Sequence, residues 1–497
     1  MRGFRSAATA LCALPLALLA AGCTMAPVYQ RPAAPVAPSY PGAAPQAPPA
    51  PAPTVGWRDF LADPRLARLI ELALANNRDL RISALNIDLA RAQYQIQGAA
   101  LLPSISAGAS DARQRTPAPL RLPGEPAVQS VYGASVGLNS YELDFFGRVR
   151  SLKEAALDDY LATEQARRSA HISLVAQVAD AYLATLAYDE QLELTRKTLA
   201  SREDAYRIAQ LQFHAGTLSA LDLRQSETLV RSAQADFASQ SRARAQAQNA
   251  LTLLVGQTLP EDLPPPRPLA EQGLADDLPA GLPSDLLERR PDLLEAEAQL
   301  QAQNANIGAA RAAFFPRITL TGSDGFSSLA LAGLFHGEAR SWSFTPALTL
   351  PLFNGGALRA NLDAAKVQRD IAVATYEKAV QTAFREVADG LAARGTYEQQ
   401  LEAQDALVRA EDARLALARL RYDKGVASFL DVLDAERELF TAQQSLIAVR
   451  LARLTNLVDL YKALGGGWNE HGAAAASGSP QPAQQLATRS SASAAPR

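Results

Sequence analysis

The spacing of apolar residues changes period several times along this chain, and the same succession of periods occurs twice. In SWSFTPALTLPLF, Trp342, Phe344, Leu348 and Leu350 alternate with Ser341, Ser343, Thr345 and Thr349. That is the period of two of a strand with one apolar face, as membrane-spanning strands show. VYGASVGLNSYEL alternates in the same way, with Tyr132, Ala134, Val136 and Leu138 on one side, and SISAGASDA does so more weakly. Elsewhere the period lengthens to that of helices. Near the C-terminus Leu430, Leu433, Phe440, Ile447, Leu451, Leu454, Val458 and Tyr461 recur at spacings of three and four, interrupted by Arg437 and Gln444. A sustained seven-residue repeat specifies supercoiled helices in an array.

Each half of the chain thus predicts one series of elements. Helical stretches of 23 residues run from Asp79 to Leu101 and from Asp292 to Phe314. Strands follow at about 103–112 and 130–145 in the first half and 317–325 and 341–353 in the second. Long helices then cover 151–215 and 357–424, and helices of 35 residues cover 221–255 and 430–464. At ~1.5 Å rise per residue the long helices reach roughly 100 Å, so they need packing partners along their whole length. The two shorter helices of a half, stacked end to end, have the length to provide one.

The duplication is also written in residues. GAALLPSISAGAS corresponds to ARAAFFPRITLTGSDG, LDFFGRVR to LPLFNGGALR, and LQFHAGTLSALD to LRYDKGVASFLD. The last pair carries Gly-x-x-Ser-x-Leu-Asp twice. Gly216 and Gly425 stand where a helix must stop, a position that asks for positive φ. Ser219 with Asp222, and Ser428 with Asp431, have the Ser-x-x-Asp spacing that caps a new helix. The stretches Gly216, Thr217, Leu218, Ser219 and Gly425, Val426, Ala427, Ser428 are therefore hairpin tips. Asp434 is not explained by the hairpin, because Gln225 stands at the equivalent place. It lies three residues after Asp431, on the same side of the helix. In RPDLLEAE, Asp292 and Glu295 have capping-box spacing behind Pro291.

Composition adds the compartment. Arg2 and Arg5 precede an apolar run from Ala7 to Ala21, too short to span a bilayer comfortably, which reads as a signal peptide over residues 1–22. Of the two cysteines, Cys12 lies in that segment and Cys23 follows Leu19-Ala20-Ala21-Gly22, a quartet resembling the bacterial lipoprotein cleavage site. Cys23 is the expected lipidation site, and residues 23–56, rich in Pro and Ala, read as a tether. A Pro-rich linker spans 256–283, and the stretch after Gly472, rich in Ala, Ser, Gln and Pro, reads as a disordered tail. The formal charge of −3, with no basic block, excludes nucleic acid as a natural partner.

Four strands cannot close a barrel, and a free sheet edge in lipid leaves backbone donors and acceptors unpaired. Copies of the chain must share one barrel. Strand count allows two, three or four subunits. The connections Arg113 to Gln129 and Phe326 to Arg340 are the long loops expected to face outward.

The runs CTMAPVYQRP, WRDFLADPRLARLIELALANNRDL, LPSDLLERRPDLLEAEAQL, RYDKGVASFLDVLDAERELFTAQQSL and NLVDLYKALGGGW carry a resemblance over nearly the whole mature chain. The sequence resembles the TolC-like outer membrane factor family, in its OprM/NodT-type lipoprotein branch. The resemblance implies a mixed, mainly α fold. In it a homotrimer makes a 12-stranded outer-membrane β-barrel and a long periplasmic α-helical tunnel. It further implies a passive exit duct for tripartite efflux, docking through a periplasmic adaptor onto an inner-membrane transporter, most often of RND type. On this resemblance Asp431 and Asp434 lie at the periplasmic aperture and the two hairpin tips contact the adaptor. Ala427 departs from TolC itself, which has arginine there.

An enzyme is a poor alternative. His171, His214, His336 and His471 are scattered, with His171 and His214 reading as helix-surface residues. The sequence has no P-loop and no Cys/His cluster suited to zinc. No catalytic residue, metal or cofactor is expected beyond a covalent lipid. The remaining alternatives are the outer-membrane channel of type I protein secretion and a non-channel coiled-coil lipoprotein.

Overall fold

The computed structural model describes residues 24–41, 55–275, 278 and 283–470. The signal peptide, Cys23, residues 42–54 of the tether and the tail from 471 onward lie outside the described residues. Nine helices and four strands occur among the described residues. They are α1 (Trp57–Phe60), α2 (Pro64–Asn76), α3 (Arg78–Ala99), β1 (Ile105–Arg115), β2 (Val128–Leu143), α4 (Arg148–His214), α5 (Ala220–Val255), α6 (Pro283–Arg289), α7 (Pro291–Ala312), β3 (Arg317–Ser328), β4 (Arg340–Thr349), α8 (Ala357–Asp423) and α9 (Phe429–Ala463). The two long helices, α4 and α8, each have 67 residues.

Contacts divide the chain into two units, and the division cuts across the sequence repeats. One unit takes residues from 24–34, 84–165 and 294–379 and the other from 35–83, 166–293 and 380–470, so each contains parts of both repeats.

The first unit holds the sheet, in the order β1-β2-β3-β4 with every neighbour antiparallel. Directly paired residues share a face, so the register sorts side chains into two sets. Ile105, Val136, Phe326, Trp342, Phe344 and Leu348 share one face. Ser106, Ser135, Ser323, Ser343 and Thr345 share the other. Gly325 pairs with Ser135 on this second face, where a Cβ would come 2.3 Å from the Ala134 carbonyl oxygen, so glycine is required. Between Leu138 and Tyr141 the register slips, and Ser140 takes φ 36°, a left-handed conformation that marks the bulge.

In the same unit the segment expected as a tether is fastened over Met25–Arg31. Arg31 donates two hydrogen bonds to Glu297 on α7, at 2.7 and 2.8 Å, and Tyr29 donates a third at 3.0 Å. Asn304 donates to the Pro27 carbonyl and Arg311 to that of Met25. Gly308 lets the strap lie flat, since a Cβ there would come 2.7 Å from the Ala26 nitrogen. Glu297 is buried, and burial plus its hydrogen bond pushes the Tyr29 hydroxyl well above the usual tyrosine range.

The second unit is helical. Asp63 is buried, caps α2 through the Arg65 amide and accepts from the Tyr182 hydroxyl of α4 at 2.8 Å. Its place directly before Pro64 suits an N-cap with proline at the first helical position. Arg290 is buried and bridges Asp292, Glu386 of α8 and the Ala463 carbonyl of α9. Helix α7 begins at Pro291, so Asp292 stands inside its first turn rather than at an N-cap, and its carboxylate holds Arg290, while Glu295 accepts from Gln299. His171 is a second correction. It is half-buried edge-on to Trp468 with Nε2 unbonded, and burial lowers its pKa, as does Arg167.

Candidate functional site: an open-edged sheet and two helical hairpin tips

The sheet is one candidate surface. In a single protomer β4 is exposed along its whole length, and Trp342, Phe344 and Leu348 are each at least 60% exposed. A water-facing strand would not carry three such side chains in register. The opposite face is small and hydroxylated, with Ser323 and Ser343 hydroxyls 2.8 Å apart across β3 and β4. Strands β1 and β4 each pair on one side only. At the end where strands meet helices, Glu142 binds Arg148 and Arg317, and Phe146 stacks on Phe315 at 4.8 Å. These contacts fasten the first turn of α4 to the base of the sheet.

The hairpin tips are a second, separate candidate surface. Helix α4 ends with the Gly216 amide donating to the Phe213 carbonyl and the Thr217 amide to that of Gln212. Helix α8 ends identically, Gly425 to Tyr422 and Val426 to Arg421. Both are Schellman motifs, and both glycines have positive φ, 72° and 70°. The restarts differ. At α9 the box is reciprocal: the Ser428 oxygen accepts the Asp431 amide and the Asp431 carboxylate accepts the Ser428 amide. At α5 the Ser219 oxygen accepts the Asp222 amide while its hydroxyl donates to the Asp222 carboxylate at 2.7 Å. Asp431 is therefore occupied as a cap, while the Asp222 carboxylate holds the Ser219 hydroxyl that caps α5.

Asp434 lies one turn further along α9, about 40% exposed, with Arg437 at 3.2 Å. Beside it the α8/α9 hairpin is cored by Leu415, Ala418, Val432, Ala435 and Leu439, with Tyr422, Phe429 and Val408 against them. Leu221, Val426 and Leu430 remain exposed at or beside the tips. Sequence reading missed Arg202 of α4. It is buried, stacks over Phe440 at 5.1 Å and donates to the Leu229 carbonyl of α5, tying the first hairpin to the second. Burial lowers its pKa, opposed by Glu436 and Asp236. An arginine at a seam position was the only available signal. Among the described residues no group of acids, histidines or cysteines is arranged to hold a metal.

A sheet with one apolar and one hydroxylated face, unpaired at both edges, in a chain that also folds long helical hairpins, marks the protomer of a shared outer-membrane channel. Comparison with known proteins places the chain within that class. Residues 69–257 and 282–466 match the family described as outer membrane efflux protein, and the chain belongs to this family. The Pseudomonas putida protein named probable efflux pump outer membrane protein TtgC is 50% identical over 463 residues, 91% of this chain and 94% of that one. Outer membrane protein OprJ of Pseudomonas aeruginosa is 48% identical over 466 residues, covering 94% and 97%. Among solved structures, the open state of the Neisseria gonorrhoeae MtrE outer membrane channel aligns with TM-score 0.82 at 43% identity, over 90% of this chain and 99% of that one. CusC aligns with TM-score 0.80 at 39% identity, covering 90% and 100%. The chain is thus an outer-membrane exit channel, with strands in the membrane and helices in the periplasm.

Proposed function

We propose that three copies of the chain form a passive duct that carries small molecules such as drugs from an inner-membrane transporter, most naturally of RND type, to the cell exterior. The observation that carries this reading is the sheet. Its hydroxylated face suits water and its apolar face suits lipid, while its free edges require neighbouring copies. Relatives named as antibiotic and toluene efflux pump components favour small-molecule cargo. The hairpin tips, Gly216–Ser219 and Gly425–Ser428, are the surface for a periplasmic adaptor, and the exposed Leu221, Val426 and Leu430 give it apolar footing. Asp434, with Asp431 shared between cap and ring, lines the periplasmic aperture. An acyl chain on Cys23 supplements the barrel as anchor. The duct performs no chemistry.

Reconstitution in planar bilayers tests the channel, and crosslinking in cells followed by identification of the attached proteins tests the partners. Discrete water-filled conductance together with a captured adaptor and transporter is expected. Absence of conductance, or capture of a protein-secretion transporter instead, defeats the proposal.

A further inference from the structure

A groove of about 300 Å³ opens at the base of the sheet, walled by Phe145, Phe146, Ala312, Ala313, Phe315 and Pro316. Phe146 and Phe315 stack in its wall, yet Phe145 and Phe315 remain 42% and 39% exposed. Water opposes two aromatic rings left open in one concavity. The side chains of the two acids among the lining residues, Glu142 and Asp144, are only 10% and 8% exposed. Arg148 and Arg317 hold the first and Arg150 the second. Their charge is spent inside the protein, so the groove suits an apolar guest.

The N-terminal strap leads toward this groove. Its contacts move along α7 in one direction, from Glu297 at Arg31 to Asn304 at Pro27, Gly308 at Ala26 and Arg311 at Met25. Glu297 to Arg311 is about 21 Å at ~1.5 Å rise per residue, so each residue of the strap from Arg31 to Met25 advances ~3.5 Å, the reach of an extended chain. The backbone goes on turning past Arg311, with the Phe314 amide donating to the Arg311 carbonyl and the Phe315 amide to that of Ala312. The strap is therefore aimed at Ala312, Ala313 and Phe315, which wall the groove.

We infer that the groove seats an acyl chain carried by Cys23 of the same protomer. That residue is two ahead of Met25, and two residues of extended chain cover about 7 Å, which ends level with Phe315 and Pro316. Strands stand in the membrane and helices in the periplasm, so this level is the periplasmic membrane boundary, where a chain attached to the N-terminus enters the bilayer. The inference rests on the acylation reading above and deepens it. The anchor lies against the base of the protein's own sheet, and the contacts of Glu297, Asn304 and Arg311 set where it is delivered.

The test uses cells that express the full-length protein and are fed a diazirine-bearing fatty acid. After irradiation the assembled protein is purified and digested for mass spectrometry, and its intact mass records acylation. A crosslink joining the acylated N-terminal peptide to peptides holding residues 145–148 or 312–317 is expected. Ala313→Phe fills the groove from a half-exposed position and should reduce that crosslink by at least about tenfold with acylation unchanged. Glu297→Gln, away from the groove, loosens the strap and should reduce it less, and it serves alone if Ala313→Phe does not assemble. An acylated N-terminus crosslinked only to bilayer lipid, a free phospholipid crosslinked in the groove in its place, or a crosslink undiminished by these substitutions overturns the site. An intact mass without acyl groups removes the acylation reading instead, and the site with it.

Discussion

Gly216 and Gly425 sit at their helix ends with nothing within 4 Å of where a Cβ would stand, so only backbone conformation opposes a side chain there. An L-residue in the left-handed region costs about 1–2 kcal/mol. Gly425→Ala should therefore speed hydrogen exchange of the amides around Tyr422–Asp431 by about tenfold. Gly395, inside α8 and equally open, has an ordinary helical backbone, and Gly395→Ala should slow local exchange, since alanine favours a helix interior. Opposite signs at two equally roomy sites would isolate conformation from packing. Asp180 of α4 yields a pH prediction. Burial, with Asp459 adding and Lys462 and Thr455 opposing, pushes its carboxyl up to about 7, and Oδ1 is buried without a hydrogen-bond partner. The folded state holds this proton more tightly than the unfolded chain, so stability falls as pH rises from about 4 to about 7. Asp180→Asn should raise the unfolding midpoint by about 2–4 °C at about pH 8 and leave it nearly unchanged at about pH 4. Thermal melts across pH decide this, and a gain that is largest in acid would show that burial of charge is not the cause.

At the scale of elements, strand and helix boundaries were legible because period and punctuation agree. Pro103 and Pro316 precede strands, Gly216 and Gly425 end helices, and the strands alternate apolar with hydroxylated residues. The observed bounds Ile105–Arg115, Arg148–His214 and Phe429–Ala463 fall within three residues of those expected. Legibility failed where a residue's partner lies far away in sequence. Nothing local indicates that Glu297 would receive Tyr29 and Arg31, that Asp63 would meet Tyr182, or that Arg290 would reach Glu386 across 96 residues. Proline content leaves the stretch holding Tyr29 and Arg31 without helix, but it does not distinguish a free chain from a fastened strap. The strap makes its own prediction. Glu297→Gln keeps the shape but loses the charge-assisted pair to Arg31, and residues 24–34 should then exchange amide hydrogens at least about tenfold faster, with β3 unchanged. Unchanged exchange in the strap would mean that Asn304 and Arg311 suffice to hold it.

For the whole molecule, the closed assembly is what gives the exposed surfaces of one chain a purpose. Trp342 and Phe344 look out of place on a solitary protomer and belong at a lipid boundary once the edges of β1 and β4 are joined to other copies. Asp434 becomes informative at this scale too. In the trimer proposed above its carboxylates would approach one axis, each partly offset by its own Arg437. Asp434→Ala should raise the conductance of the resting channel and weaken block by di- and trivalent cations, by about tenfold at low ionic strength. Arg437→Ala should strengthen that block. Single-channel recordings with and without the cation measure both, and no change in either would remove these residues from the aperture.

The unequal reading of the two hairpins has a geometric corollary. The backbone repeats twice per chain, so its turns come round an axis six times in a trimer, yet Gln225 stands where Asp434 does and the acid comes round only three times. An iris built this way has two kinds of leaf of the same outline, one charged and one not. A multivalent ion bridging two carboxylates must span an uncharged leaf to do it.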